Sequence, residues 1–186
     1  MRFRAVVVDY ACLFNLNKIG TTVSKLSKMC VVNLTPTNIR FITQDSLVRG
    51  SAFFWCSVKQ ESVCDEYRLE GKGERNEIYL ELVSEHISRI FKSACKAQQI
   101  KIKLVKIGSP FLCFELLFPS LASNPRQVIH HVPVLILASS SWEKYQEPTN
   151  RPDLSLTLND VKALRIVSER LKNVSEYAVF FSQLNA

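Results

Sequence analysis

Glu77-Ile78-Tyr79-Leu80-Glu81-Leu82, followed by Ser84-Glu85-His86-Ile87-Ser88-Arg89, holds the key to the architecture of this chain. The first run alternates polar and apolar residues, the pattern of a strand with one face buried and one wet. The second run switches to helical spacing, with Ile87, Ile90 or Phe91, and Ala94 facing inward. Ser84 stands where a helix N-cap belongs and Glu85 sits favourably in the first turn. The spacing predicts a strand handing directly to a helix over Ser84–Gln98.

The same hand-over opens the chain. Phe3–Val8 is a predicted strand, and Ala11–Cys30 a predicted helix with an apolar stripe at Cys12, Leu16, Ile19, Val23, Leu26 and Cys30. Short β-prone runs follow at Val31–Leu34, Ile39–Ile42, Ala52–Val58 and Glu66–Glu70, separated by turn signals such as Thr35-Pro36-Thr37-Asn38 and Gly71-Lys72-Gly73. After the second helix come predicted strands at Ile100–Lys106, Phe111–Phe118 and Val128–Leu137. Ala138–Asp153 is expected to be a linker, although it carries Trp142 and Tyr145. Those aromatics either pin the linker to the sheet or form a docking groove. Beyond it, a strand at Leu154–Leu158, a helix over Asp160–Val174 and a strand at Tyr177–Phe181 repeat the opening pattern. The expected organisation is a first domain over 1–137, a linker over 138–153 and the start of a second domain over 154–186.

The three predicted helices hold ten of the 24 Lys and Arg but three of the 17 Asp and Glu, which equals the net charge of +7. The rest of the chain is neutral. Lys18, Thr21, Lys25 and Lys28 form one stripe, Arg89, Lys92 and Lys96 a second, and Lys162, Arg165 and Lys172 a third, interrupted by Glu169. A single such stripe is usually a wet helix face. Three together suit a polyanion, bound through phosphate contacts that carry no sequence information. The aromatics fall mostly at apolar strand positions, so no stacking platform for single strands is expected.

Other chemistry finds little support. The cysteines at 12, 30, 56, 64, 95 and 113 form no C-x-x-C and suggest reduced, mostly buried thiols of an intracellular protein. His130 and His131 are neighbours in a predicted strand and point to opposite faces, so they are not expected to share a metal. Gly71-Lys72-Gly73 lacks the spacing of a phosphate loop. The longest strongly apolar run, near Val132–Ala138, is far short of a membrane span. No catalytic residue, metal or cofactor is expected.

Several strings resemble a known family. Met1-Arg2-Phe3-Arg4-Ala5, Asn76–Leu82, Ser84–Arg89, Lys101-Ile102-Lys103-Leu104, Gln146-Glu147-Pro148 and Leu171-Lys172-Asn173-Val174-Ser175 are similar to the Hus subunit of the DNA-damage checkpoint sliding clamp, the nine-one-one complex. The likeness spreads over essentially all of the chain. It implies an α+β sliding-clamp fold built from β-α-β-rich repeats, the first domain complete and the second incomplete, because family members extend further. It implies a non-catalytic subunit that joins two paralogous subunits in a ring around duplex DNA. It also implies a clamp loader and repair and checkpoint proteins as partners, no membrane, and a nuclear location with the nucleolus as a second compartment. Roles in cell-cycle control, meiosis and telomere maintenance come with the family. Carried over residue by residue, Lys18, Lys25, Lys28, Arg89, Lys92, Lys96, Lys162 and Arg165 would face DNA. Ile39, Leu137, Trp142 and Tyr145 would line a partner-docking groove. The rival expectation is a stand-alone adaptor that binds one protein partner without encircling DNA.

Overall fold

The computed structural model describes residues 1–43, 54–119, 126–147 and 160–175. The chain divides after Glu147 into a larger unit, Met1–Glu147, and a smaller one, Pro148–Ala186. In the larger unit, β1 (Arg2–Val7) leads into α1 (Tyr10–Leu26), then β2 (Met29–Leu34), β3 (Asn38–Thr43), β4 (Phe54–Lys59) and β5 (Glu66–Glu70). Next, β6 (Ile78–Val83) leads into α2 (Ser84–Ala94), then β7 (Gln99–Ile107), β8 (Ser109–Phe118), β9 (Arg126–Pro133) and β10 (Leu135–Ile136). A 3-10 turn spans Ser139–Tyr145.

The order of the strands discloses a repeat inside this unit. One sheet runs β5-β1-β7-β8-β9 and the other β10-β6-β2-β3-β4, and every pairing in both is antiparallel. Each half of the unit therefore places its first and last strands in one sheet and its middle three in the other. β1–α1–β2–β3–β4–β5 and β6–α2–β7–β8–β9–β10 are two copies of one motif that exchange strands. Sequence spacing predicts a repetition between about the first 135 residues and the stretch after 154; the structure shows a further one within 1–136.

One apolar core joins the helices to both sheets. Leu13, Leu16 and Val23 of α1 and Ile87, Ile90, Phe91 and Ala94 of α2 meet Val32, Leu34, Phe41, Leu80 and Leu82 of one sheet and Phe3, Ile100, Phe114 and Leu116 of the other. The buried stripe of α1 is thus rotated from the expected one: Leu13 and Gly20 are buried, whereas Leu26 is exposed and Cys30 belongs to β2. Asp9 caps α1, its Oδ1 accepting from the Cys12 N–H at 3.0 Å.

Three other expectations need revision. Lys28 lies beyond the end of α1 and Lys96 beyond the end of α2. Val128–Leu137 is two strands in two sheets, because the chain crosses over at Val134, whose N–H donates to the Pro110 carbonyl at 3.1 Å. The outer face of β6 is covered rather than wet at Tyr79, which is buried under Trp142. In the smaller unit, α3 (Val161–Leu171) forms as expected, with Asp160 Oδ1 accepting from the Lys162 and Ala163 N–H groups. The predicted strands Leu154–Leu158 and Tyr177–Phe181 lie outside the described residues.

Candidate functional site

Three basic residues of the larger unit, Lys28, Arg89 and Lys92, line a groove between α1 and α2, and a serine places one of them. Ser84 does not cap α2; it is the first helical residue, preceded by Val83 as cap. Its N–H donates to the Lys28 carbonyl at 3.0 Å, and its hydroxyl donates to the carbonyls of Ser27 and Lys28. Buried Ser84 thus staples the α1–β2 connection to the head of α2. That staple sets Lys28 beside Ser88, Arg89 and Lys92, with Ser24 and Met29 completing the groove. Lys18 and Lys25 are exposed on α1, and the Lys18 ammonium lies 4.6 Å from the centre of the Phe14 ring. Lys96, exposed at the other end of α2, borders a different concavity with Arg126 and His130.

The charge here is not all free. Glu85 pairs with Arg89 one turn away. Both side chains are well exposed, so the pair holds loosely and its carboxylate is readily exchanged for another anion. Among the described residues no carboxylate pairs with Lys25, Lys28, Lys92 or Lys96. In α3, Lys162 is exposed and the Arg165 Nε lies 3.1 Å from Glu169 Oε1.

A second candidate surface lies on the outer face of the β6-containing sheet. The Leu137 N–H donates to the Tyr79 carbonyl at 3.0 Å, and the Trp142 Nε1–H donates to the Leu137 carbonyl at 3.2 Å. Trp142 stacks on Tyr79, ring centroids 4.8 Å apart and planes 27° from parallel. Tyr145 tilts against the same ring at 6.4 Å. Val31, Ile42 and Trp55 extend the cluster over β2, β3 and β4. Leu137, Trp142 and Tyr145 therefore sit together, and pinning of the segment accounts for both aromatics. Ile39 does not join them. Strand alternation turns it to the opposite face, where it is 8% exposed in the main core. Arg40, its neighbour, faces the aromatic side instead, its guanidinium 5.4 Å from the Trp55 ring and its NH1 donating to Asn33 Oδ1 at 3.2 Å.

Among the described residues no group of three or more His, Cys, Asp and Glu could hold a metal ion. The six cysteines are free thiols, with Cys30 and Cys113 buried. Burial pushes Cys30 up to about 12; Cys64 also rises to about 12, from burial and the nearby Asp65 and Cys12. Such thiols are poor nucleophiles at neutral pH. No described helix is long and apolar enough to cross a membrane.

A family model described as Hus1-like protein matches residues 1–184. The chain belongs to the Hus1-like family. It is 37% identical to the Checkpoint protein HUS1 of Homo sapiens over 187 residues, which takes in 100% of this chain and 67% of that protein. It is 30% identical to the Checkpoint protein Hus1-like of Drosophila melanogaster, over 94% of this chain and 65% of that one. The Checkpoint protein hus1 homolog of Dictyostelium discoideum is 25% identical over 95% of this chain and 64% of its own length. The chain thus spans about two thirds of the length of the curated relatives it matches. The Hus1-like family has the sliding-clamp fold, and two sheets carrying two adjacent helices on a shared core are the form that fold takes in residues 1–147.

Proposed function

We propose that this Hus1-like chain is a non-catalytic subunit of a heterotrimeric DNA-damage checkpoint clamp. It joins two paralogous subunits, is loaded in the nucleus around duplex DNA at damage sites, and supports checkpoint signalling and repair. The observation that carries this reading is the groove between α1 and α2, where Lys28, Arg89 and Lys92 converge with one exposed acid among them. Cations held on helices bind phosphates without reading bases, as a subunit that tracks along a duplex requires. Lys18 and Lys25 on α1 and Lys96 just past α2 add to the positive charge of the larger unit, and α3 of the smaller unit carries Lys162 and Arg165 of its own.

Assembly tests this reading. The 186-residue chain is mixed with its two paralogous subunits, and the mass is measured by light scattering after gel filtration. A one-to-one-to-one complex is expected. A chain that joins neither subunit overturns the clamp reading.

A second reading, a stand-alone adaptor, draws on the aromatic surface at Tyr79, Trp142 and Tyr145. In that reading the surface binds a protein partner whether or not a ring forms. Partner binding that survives loss of ring assembly favours it.

A further inference from the structure

Two aromatic rings of α1 stand in water. Tyr10 is 65% exposed and Phe14 43%. Neither belongs to the core cluster, and neither packs against another ring among the described residues. Sequence spacing predicts no stacking platform, since most aromatics take apolar strand positions; these two sit on a helix instead. The cause is rotational. α1 buries Leu13, Leu16, Gly20 and Val23. At about 100° per residue, Tyr10, Phe14, Lys18, Thr21 and Lys25 fall within about 80° of arc, well away from the buried stripe.

The same exposed stripe is cationic. The Lys18 ammonium lies 4.6 Å from the centre of the Phe14 ring, so a ring face is open with a cation beside it. α1 contains no Asp or Glu, and among the described residues no carboxylate pairs with Lys18 or Lys25. Asp9, just before the helix, is turned into its N-terminus, where Oδ1 accepts from the Cys12 N–H. The Cys95 thiol donates to the Leu13 carbonyl at 3.8 Å. That contact sets the end of α2, with exposed Lys96 after it, at the Tyr10–Phe14 end of α1.

We infer that this stripe binds a single-stranded nucleic acid, stacking unpaired bases on Tyr10 and Phe14 and holding phosphates at Lys18 and Lys25. The inference deepens the reading of α1 as a DNA-facing helix and rests on it. Every base has a flat face, so stacking on aromatic rings needs no particular sequence. In a duplex those faces are covered by neighbouring bases, and the helix meets the backbone alone. Spacing separates the two forms. Tyr10 and Phe14 are four residues apart, about 6 Å along the helix axis. Bases in a duplex strand follow one another at about 3.4 Å. The rings therefore suit bases that have parted, as in an extended single strand. Lys25 lies about 22 Å from Tyr10 along the axis, a length that spans several nucleotides.

The test uses the 186-residue chain and three fluorescent probes: an oligothymidylate of about 12 nucleotides, an abasic strand of the same length, and a duplex of about 20 base pairs. Binding is followed by anisotropy at about 50 mM salt. The oligothymidylate is expected to bind about tenfold more tightly than the abasic strand, the margin coming from its bases. Tyr10→Ala with Phe14→Ala should remove that margin and leave the duplex affinity unchanged. Both side chains are exposed, so the urea midpoint should hold as well. Phe14→Trp keeps a flat ring and should bind the oligothymidylate as the wild type does. Its added indole fluorescence should be quenched by that strand and not by the abasic one. Equal wild-type affinity for the two strands overturns the inference, as does an oligothymidylate affinity that survives the double substitution; either result leaves duplex binding by the lysines standing. A wild type that retains none of the three probes overturns the inference together with the reading of α1 as a DNA-facing helix.

Discussion

Gly20 of α1 lies against Phe91 of α2, so closely that a Cβ at position 20 would come within 3.0 Å of the Phe91 Cδ2 and 3.4 Å of the Ser88 Cα. The two helices that carry Lys25, Arg89 and Lys92 therefore cross at a residue chosen for its lack of a side chain. A larger residue must push α2 outward or turn Phe91, which is itself packed edge-on against Phe41 and Phe114. Gly20→Leu is expected to destabilise the larger unit by about 1–3 kcal/mol, through overpacking. Gly20→Ala gains about 1 kcal/mol of helix propensity, which offsets much of its smaller overlap. Urea unfolding of the two variants checks this: the Leu variant should have the lower midpoint, at an unchanged slope.

The groove beside that crossing makes an electrostatic prediction. Charge reversal at Lys25, Lys28, Arg89 and Lys92 to Glu should weaken retention on duplex DNA while the far-ultraviolet circular dichroism stays the same, since all four side chains are exposed. Each phosphate that is no longer neutralised lowers the slope of log affinity against log salt by about one. Filter binding of a fluorescent duplex between about 50 and 200 mM salt spans the useful range. Unchanged retention at low salt would count against the groove as a DNA surface.

The sequence made some of this legible and hid the rest for identifiable reasons. Spacing of three and four located α1 and α2, and alternation located β5 and β6 to within about a residue or two. Helix ends were harder. The lysine stripe runs on through Lys28, but the chain turns at Ser27 so that β2 can pair with β6. Gly20 was invisible to a search for apolar residues, since its contribution is the absence of a side chain. Ser84 fitted an N-cap by position, yet its hydroxyl finds the carbonyls of Ser27 and Lys28, 57 and 56 residues away. Ile39 and Arg40 sit in a run whose alternation is loose, because Phe41, Ile42 and Thr43 are all buried, so the face of each could not be assigned from spacing. The break between β9 and β10 is masked by continuous apolar residues across Val132, Val134, Leu135, Ile136 and Leu137. The two-copy motif within 1–136 repeats shape and connection order, which residue identities alone do not display.

The aromatic strap offers a third prediction. Trp142 links the segment after β10 to the sheet by its stack on Tyr79 and its hydrogen bond to Leu137. Trp142→Ala should release the segment and cost about 1–2 kcal/mol, combining the missing stack with part of a half-buried side chain. The Leu137 amide, which donates to the Tyr79 carbonyl, should then exchange its hydrogen faster, whereas the Val32 amide in the centre of the sheet should not. Trp142→Phe keeps a ring without the indole N–H and should lie between the two. If Leu137 exchanges at the wild-type rate in the Ala variant, the strap is held by something other than Trp142.

The buried acids of the larger unit fix how it responds to alkali. Burial raises Cys30 from 9.0 to about 12. Burial together with Asp65 and Cys12 does the same for Cys64, and burial together with Glu77 takes Tyr79 from 10.0 to about 12. A raised pKa in the folded state means that the unfolded chain loses these protons first. The stability they protect is complete below about pH 9, where both states are protonated, and is lost as pH rises through the folded values near 12. Urea midpoints should therefore be flat across these groups at neutral pH and fall progressively between about pH 9 and 12. Cys30→Ala changes the packing of β2, so its midpoint is lower at every pH, but one of the alkaline contributions disappears. The fall between pH 9 and 12 should be shallower in that variant than in the wild type, and an identical fall would mean that Cys30 ionises freely in the folded protein.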